Sequence, residues 1–306
     1  MTITIKYSIG DGGVEYKNFN KIRQLPNYDR IVYINCSNND LTSLPSNLPK
    51  SLQLLNCYNN DLTSLPSNLP ESLHKLRCSG NNLTSLPSNL PESLQKLYCS
   101  GNNLTELPSN LPESLRGLYC SYNNLTSLPS NLPESLQELD CRNNNLTSLP
   151  SKLPGSLIGL HCSDNNLTSL PPSLPESLQQ IWCSSNNLTS LPINLHELRN
   201  LTYCIYNNNE IEYIPPQTTR FLNRLKNTGM TQPKLYNDRQ NVHDHQIQES
   251  IRNSTNSVMA DKPSITIEVM NEEIVSNAVL TEVTKRLLLE YCGDESIHGV
   301  MGITFK

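Results

Sequence analysis

Aromatic residues make up only 6% of this 306-residue chain, with a single Trp and three Phe, so leucine must supply most of any core. No apolar run approaches the roughly 20 residues that a membrane-spanning helix needs, and no membrane association is expected. The opening residues, MTITIKYSIGDGG, have neither a basic n-region nor an apolar h-region. An intracellular, cytoplasmic protein is therefore expected, with its thiols kept reduced. A glycine-rich phosphate loop, a Ser-centred elbow and a paired-carboxylate motif are all missing, so neither enzymatic activity nor a cofactor is expected. Positive charge is scarce as well: residues 31–216 hold eight Lys/Arg against fourteen Asp/Glu, within a net charge of −5. Such a surface repels phosphate, which argues against nucleic acid as a partner.

What the chain does have is a ruler. Nine of its ten cysteines, from Cys36 through Cys57, Cys78, Cys99, Cys120, Cys141, Cys162 and Cys183 to Cys204, are each 21 residues after the last. Around them one phrase recurs, clearest as ESLQKLYCSGNNLTSLPSNLP, and self-similarity at this period marks a stacked solenoid. Within one rung, Leu94, Leu97, Cys99, Asn102, Leu104, Leu107 and Leu111 follow the template L-x-x-L-x-L-x-x-N-x-L, with Cys in the third apolar place. Leu97 and Cys99 are two apart, as strand residues sharing a face must be, so Lys96, Tyr98 and Ser100 point the other way. Asn102 is expected to turn inward and bond the backbone where the chain leaves the strand.

The rest of each rung, as in LTELPSNLPES, carries two prolines, which remove amide donors and favour extended backbone. The outer side therefore has room for polyproline-II-like or 3₁₀ segments in place of a helix. These repeats resemble the short SLP-type leucine-rich repeats of bacterial virulence effectors, and their Cys-bearing, Asn-rich form resembles leucine-rich-repeat proteins encoded by giant viruses of amoebae. The resemblance covers about residues 22–216. It implies a solenoid arc with a parallel concave β-sheet and an irregular convex side.

Three regions are expected: an N-terminal cap over residues 1–30, the repeats over 31–216, and a tail over 217–306. In the cap, the alternation in TITIKYS, the Asp11-Gly12-Gly13 turn and VEYKNF predict a hairpin, followed by a half rung at Ile22, Leu25 and Pro26. Eight regular rungs begin at Ile31 and recur to Leu178. The ninth fits only if Leu201 opens it, two residues late, so that Cys204 takes the second apolar place and Tyr206 the usual place of cysteine. In the tail, Phe221, Leu222 and Leu225 form one helical face suited to capping the last rung. Beyond them, SITIEVM reads as a strand, Asn271 opens a helix through Val275, Val279, Val283 and Leu287, and GVMGITF reads as a strand, together a small α+β appendage.

Several candidate sites have a plain structural alternative. The cysteine column is read as core filling, because rungs about 4.8 Å apart in a line suit neither tetrahedral zinc nor disulfide geometry. The Asn-Leu-Thr triplets at Asn82, Asn103, Asn124, Asn145, Asn166 and Asn187 would be glycosylation acceptors in a secreted protein, and in the cytosol are structure only. His243-Asp244-His245 is read as a solvated segment and not a metal site. Cys292-Gly293-Asp294 matches the Cys-x-Asp motif of the E3 ubiquitin ligase domains that accompany similar effector repeats, and that resemblance makes Cys292 a candidate nucleophile. The ordinary alternative is a thiol at a helix C-terminus, where the dipole raises its pKa.

More informative is the column at the centre of each strand, which varies while the frame does not: Asn35, Asn56, Arg77, Tyr98, Tyr119, Asp140, His161 and Trp182. Lys75, Lys96 and Glu138 flank it on one side, and Tyr58 and Arg142 on the other. Tyr, Trp and Arg are frequent binding hot spots. The competing account is strand propensity with cross-strand packing. A binding face for a partner protein, formed by Lys75, Arg77, Lys96, Tyr98, Tyr119, Glu138, Asp140, Arg142, His161 and Trp182, is the preferred reading, on a chain expected to be monomeric.

Overall fold

The computed structural model describes residues 1–225. The expected strands at SITIEVM and GVMGITF, the helix from Asn271, His243-Asp244-His245 and Cys292 lie outside them. The chain divides into two compact units, one of which includes Met1–Ile211 and, of the other described residues, 222–225, while the second includes Glu212–Phe221.

In the first unit the repeat builds one sheet. Nine three-residue strands run parallel in sequence order: β3 (Tyr33–Asn35), β4 (Leu54–Asn56), β5 (Lys75–Arg77), β6 (Lys96–Tyr98), β7 (Gly117–Tyr119), β8 (Glu138–Asp140), β9 (Gly159–His161), β10 (Gln180–Trp182) and β11 (Tyr203–Ile205). The first two elements of the chain, β1 (Ile3–Lys6) and β2 (Val14–Tyr16), form an antiparallel hairpin, and β1 pairs antiparallel with β3. Ile3 and Ile5 are fully buried, and a short helix, α1 (Phe19–Arg23), buries Phe19 and Ile22. Asn18 caps α1 by accepting from the Lys21 amide, 3.0 Å away.

Every rung then repeats the same burial. In the rung of β6, Leu94, Leu97, Cys99 and Leu104 are wholly inaccessible, while Leu107 and Leu111 are 7% exposed. Each such leucine is worth about 1.5–3 kcal/mol on burial. Between β3 and β10 the chain returns through turns in place of helices, one of them closed by a bond from the leucine amide to a proline carbonyl three residues earlier, as in Leu94 to Pro91 at 2.9 Å. Proline suits that turn because only its carbonyl is required there.

A second constraint falls two residues after each cysteine from Cys36 to Cys183, where the chain leaves the strand in the left-handed region. Asn38, Asn59, Gly80, Gly101, Tyr122, Asn143, Asp164 and Ser185 all have φ between 52° and 64°. Six of these eight are Gly, Asn or Asp, the residues that tolerate this conformation. Tyr122 is the poorest fit, and its side chain is left 62% exposed.

The ladder that makes the rungs one body is built by asparagine. Asn123 Nδ2 donates to the carbonyls of Cys120 and Ser121 in its own rung and of Cys99 in the rung before, while its Oδ1 accepts from the Leu104 amide. Asn60, Asn81, Asn102, Asn144, Asn165 and Asn186 repeat the arrangement. At the first rung the Thr2 amide, from the N-terminal hairpin, donates to Asn39 Oδ1 at 2.6 Å in place of a leucine amide. A serine ladder runs beside it: Ser114 Oγ donates to the carbonyls of Glu92 and Leu94, and its counterparts repeat this from Ser72 to Ser177.

The last rung is out of phase with the cysteine ruler. In β11, Cys204 pairs with Ile181 and Ile205 with Trp182. Asn209, 26 residues after Cys183, bonds the Cys183 carbonyl where regular rungs use a spacing of 24. The ladder therefore continues across a 23-residue step. In the second unit, the helix α2 (Pro216–Leu222) opens with the Thr219 amide donating to the Pro215 carbonyl at 2.9 Å.

Candidate functional site

The strand registers place the variable residues in true columns: Lys75 beside Lys96, Arg77 beside Tyr98, Tyr98 beside Tyr119, and Asp140 beside His161, itself beside Trp182. Side chains one rung apart are then about 4.8 Å apart, the distance at which flat rings stack. Two stacks result. Tyr98 and Tyr119 have ring centroids 4.5 Å apart and planes at 5°, and His161 and Trp182 are 4.4 Å apart at 19°.

The first stack is roofed by cations. Lys75 Nζ and Arg77 Cζ each lie 5.3 Å from the Tyr98 ring centroid, within cation–π range. The second stack is different, because its cation already has an anion. Arg142 forks onto Asp140 through Nε to Oδ1 at 2.9 Å and Nη2 to Oδ2 at 2.8 Å, and its guanidinium lies 5.4 Å from the Trp182 centroid. Asp140 is 8% exposed. It is thus less a free carboxylate for a ligand than the anchor that holds Arg142 over the indole.

Glu138 lies between the two stacks. Burial raises its carboxyl above the ordinary value, against the lowering pull of Lys96. Burial also pushes the Tyr119 phenol up to about 12, with Tyr98 and Glu138 adding to the effect. The His161 ring is moved the other way: burial lowers its pKa and favours the neutral imidazole. His161 Nε2 and Trp182 Nε1 are both buried without a hydrogen-bond partner. At the other end of the face the polar residues are occupied locally. Asn35 Oδ1 accepts from the Ser37 amide and hydroxyl, and Asn56 Oδ1 from the Tyr58 amide.

Two glycines that sequence reasoning passed over shape this face. A Cβ on Gly117 would lie 2.9 Å from Tyr119 Cε2, and one on Gly159 would meet the Glu138 carboxylate. The aromatic ring and the carboxylate lean over positions kept bare for them. The visible signal was a Gly at two places in a column that elsewhere carries a large side chain, from Tyr33 and Leu54 to Lys75, Lys96, Glu138 and Gln180.

The nine described cysteines are buried and form no disulfide. Cys57 Sγ donates to the Arg77 carbonyl and Cys78 Sγ to the Tyr98 carbonyl, both at 3.3 Å. Burial pushes Cys36, Cys78 and Cys204 up to about 12. Among the described residues no group of three or more His, Cys, Asp or Glu could hold a metal ion, and no helix is long and apolar enough to cross a membrane.

A parallel-strand solenoid with one leucine-framed rung per 21 residues defines this chain as a leucine-rich-repeat protein. The Leucine Rich Repeat family model matches residues 93–113 and 135–157. Among solved structures, the leucine-rich effector YopM of Yersinia pestis is similar at 38% identity and a TM-score of 0.55, over 59% of this chain and 50% of YopM. A leucine-rich-repeat protein of Leptospira interrogans is similar at 29% identity and a TM-score of 0.59, over 69% of this chain and 62% of the other. The functional domain of InlJ from Listeria monocytogenes, described as including a cysteine ladder, is similar at 26% identity and a TM-score of 0.50, over 64% of this chain and 48% of that one. This chain thus spans about half the length of YopM. The repeats resemble those of bacterial effectors; these comparisons give no support to the giant-virus resemblance. No curated protein sequence matches.

Proposed function

We propose that the chain is a non-enzymatic interaction module that binds a partner protein on the open face of its sheet. The observation that carries this reading is the contrast between a frame repeated rung after rung and a central column whose aromatic residues are stacked in pairs and held by cations. Rings already fixed in place lose little entropy on docking, which is what hot-spot residues require. Likeness to a bacterial effector makes a host-cell protein the partner class to look for first. The function acts from cytoplasm, as a monomer.

The test is a Tyr98→Ala, Tyr119→Ala, Trp182→Ala variant used beside the wild type in affinity purification from the natural host cell. Loss of the recovered partners with an unchanged circular dichroism spectrum is expected. Recovery of the same partners at the same yield would overturn the proposal.

A further inference from the structure

Charge is not spread evenly over the repeats. Four of the eight repeat cations, Lys75, Arg77, Lys96 and Arg142, lie in the outward strand columns, whereas only Glu138 and Asp140 of the fourteen acids do. Arg142 is neutralised by Asp140, and the only other ion pair among the described residues joins Lys152 to Glu134. Lys75, Arg77 and Lys96 therefore stand on an acidic solenoid without a carboxylate within ion-pair distance.

They are also held in place. Lys75 and Arg77 rest over Tyr98, whose other neighbour is Tyr119, so the cations and rings form one body across β5, β6 and β7. The patch is short. Toward the N-terminus it gives way to Leu54, Asn56, Tyr33 and Asn35, none of them charged, and toward the C-terminus it ends at Glu138. A long polyanion following the sheet would run onto that carboxylate, whereas a few carboxylates fit between two rungs about 4.8 Å apart.

We infer that this patch takes an acidic segment of a protein partner, its carboxylates meeting Lys75, Arg77 and Lys96 while its neighbouring side chains pack on the Tyr98–Tyr119 stack. The inference rests on the open-face reading above and adds the partner's charge to it. Electrostatic complementarity of this kind sets specificity and association rate more than raw affinity.

The experiment pans a random twelve-residue peptide library displayed on phage against the full chain, against a Lys75→Glu, Lys96→Glu variant and against the milder Lys75→Gln, Lys96→Gln variant. Peptides kept by the wild type should carry about twice the Asp and Glu of the unselected library, and should bind the Glu variant at least about tenfold more weakly. The Gln variant should fall between. Retained peptides with no acid enrichment, enrichment unchanged in the Glu variant, or displacement of the peptides by a single-stranded oligonucleotide at lower concentration than by an acidic peptide would each overturn the inference. Failure of the open-face reading is distinct: the triple alanine variant would then keep the host partner whatever the peptides show.

Discussion

The inward and outward faces of the same three-residue strands follow opposite rules. Inside, Leu, Cys and Asn recur almost without change, because each must fill the same volume and close the same hydrogen bonds to the rung before. Outside, no residue type dominates the central column, and the side chains that meet there do so by ring stacking, Tyr98 on Tyr119 and His161 on Trp182. Uniformity therefore marks the positions that hold the solenoid together, and variation marks those free to take on a partner.

The largest break in that contrast is expected from Asn123→Ala. It would leave the buried Leu104 amide without its partner inside the protein, at a cost of about 1–3 kcal/mol, and would remove one of the two side-chain amides on the Cys99 carbonyl, which keeps Asn102 Nδ2. A loss of about 2–4 kcal/mol is expected in urea denaturation, and a loss under about 1 kcal/mol would show that the ladder is dispensable.

Alkaline pH should break the inner face in another way. Burial raises the pKa of its thiols above the usual value near 9, to about 12 for Cys36, Cys78 and Cys204. The unfolded chain then loses protons first as pH rises, so full stability is present below about pH 9 and falls as pH climbs toward 12. All nine described thiols act in the same direction, so the repeats should unfold at a pH above about 9. Circular dichroism against pH checks this, and replacement of Cys99 and Cys120 by Ala should move the transition upward. A transition insensitive to those replacements would contradict it.

Effects on the outer face should be smaller in stability and larger in binding. Gly117→Val places a side chain where the Tyr119 ring lies, so binding on the open face should weaken at least about tenfold while the unfolding free energy from urea denaturation changes by less than about 1 kcal/mol. Equal losses in both would merge the two faces. The smallest effect belongs to Tyr122→Gly. It relieves a left-handed backbone at an exposed residue and should raise stability by about 0.5–1 kcal/mol, seen as a higher urea midpoint.

The period alone was enough to assign the strands from β3 to β10, because two-residue alternation around a fixed cysteine leaves one choice of face. Cys204 shows its limit: equal spacing continued for one term after the structural register had moved by two residues, and only the template around Leu201 and Asn209 reveals it. The central column was legible for the same reason. Its pairing was not, since stacking of Tyr98 on Tyr119 depends on ring orientation and on the bare Cα of Gly117. The Asp140–Arg142 fork had a sequence signal, two opposite charges two residues apart on one face, and it turns two expected ligand-binding groups into one internal support.

The most direct measurement places a photo-crosslinking amino acid at Arg77 in one variant and at the exposed Thr126, outside the strand columns, in another, and irradiates each in the natural host cell lysate. A discrete adduct from the Arg77 position and none from Thr126 is the predicted result. Adducts of equal yield from both, or from Thr126 alone, would contradict the claim that the outward strand face is where this protein meets its partner.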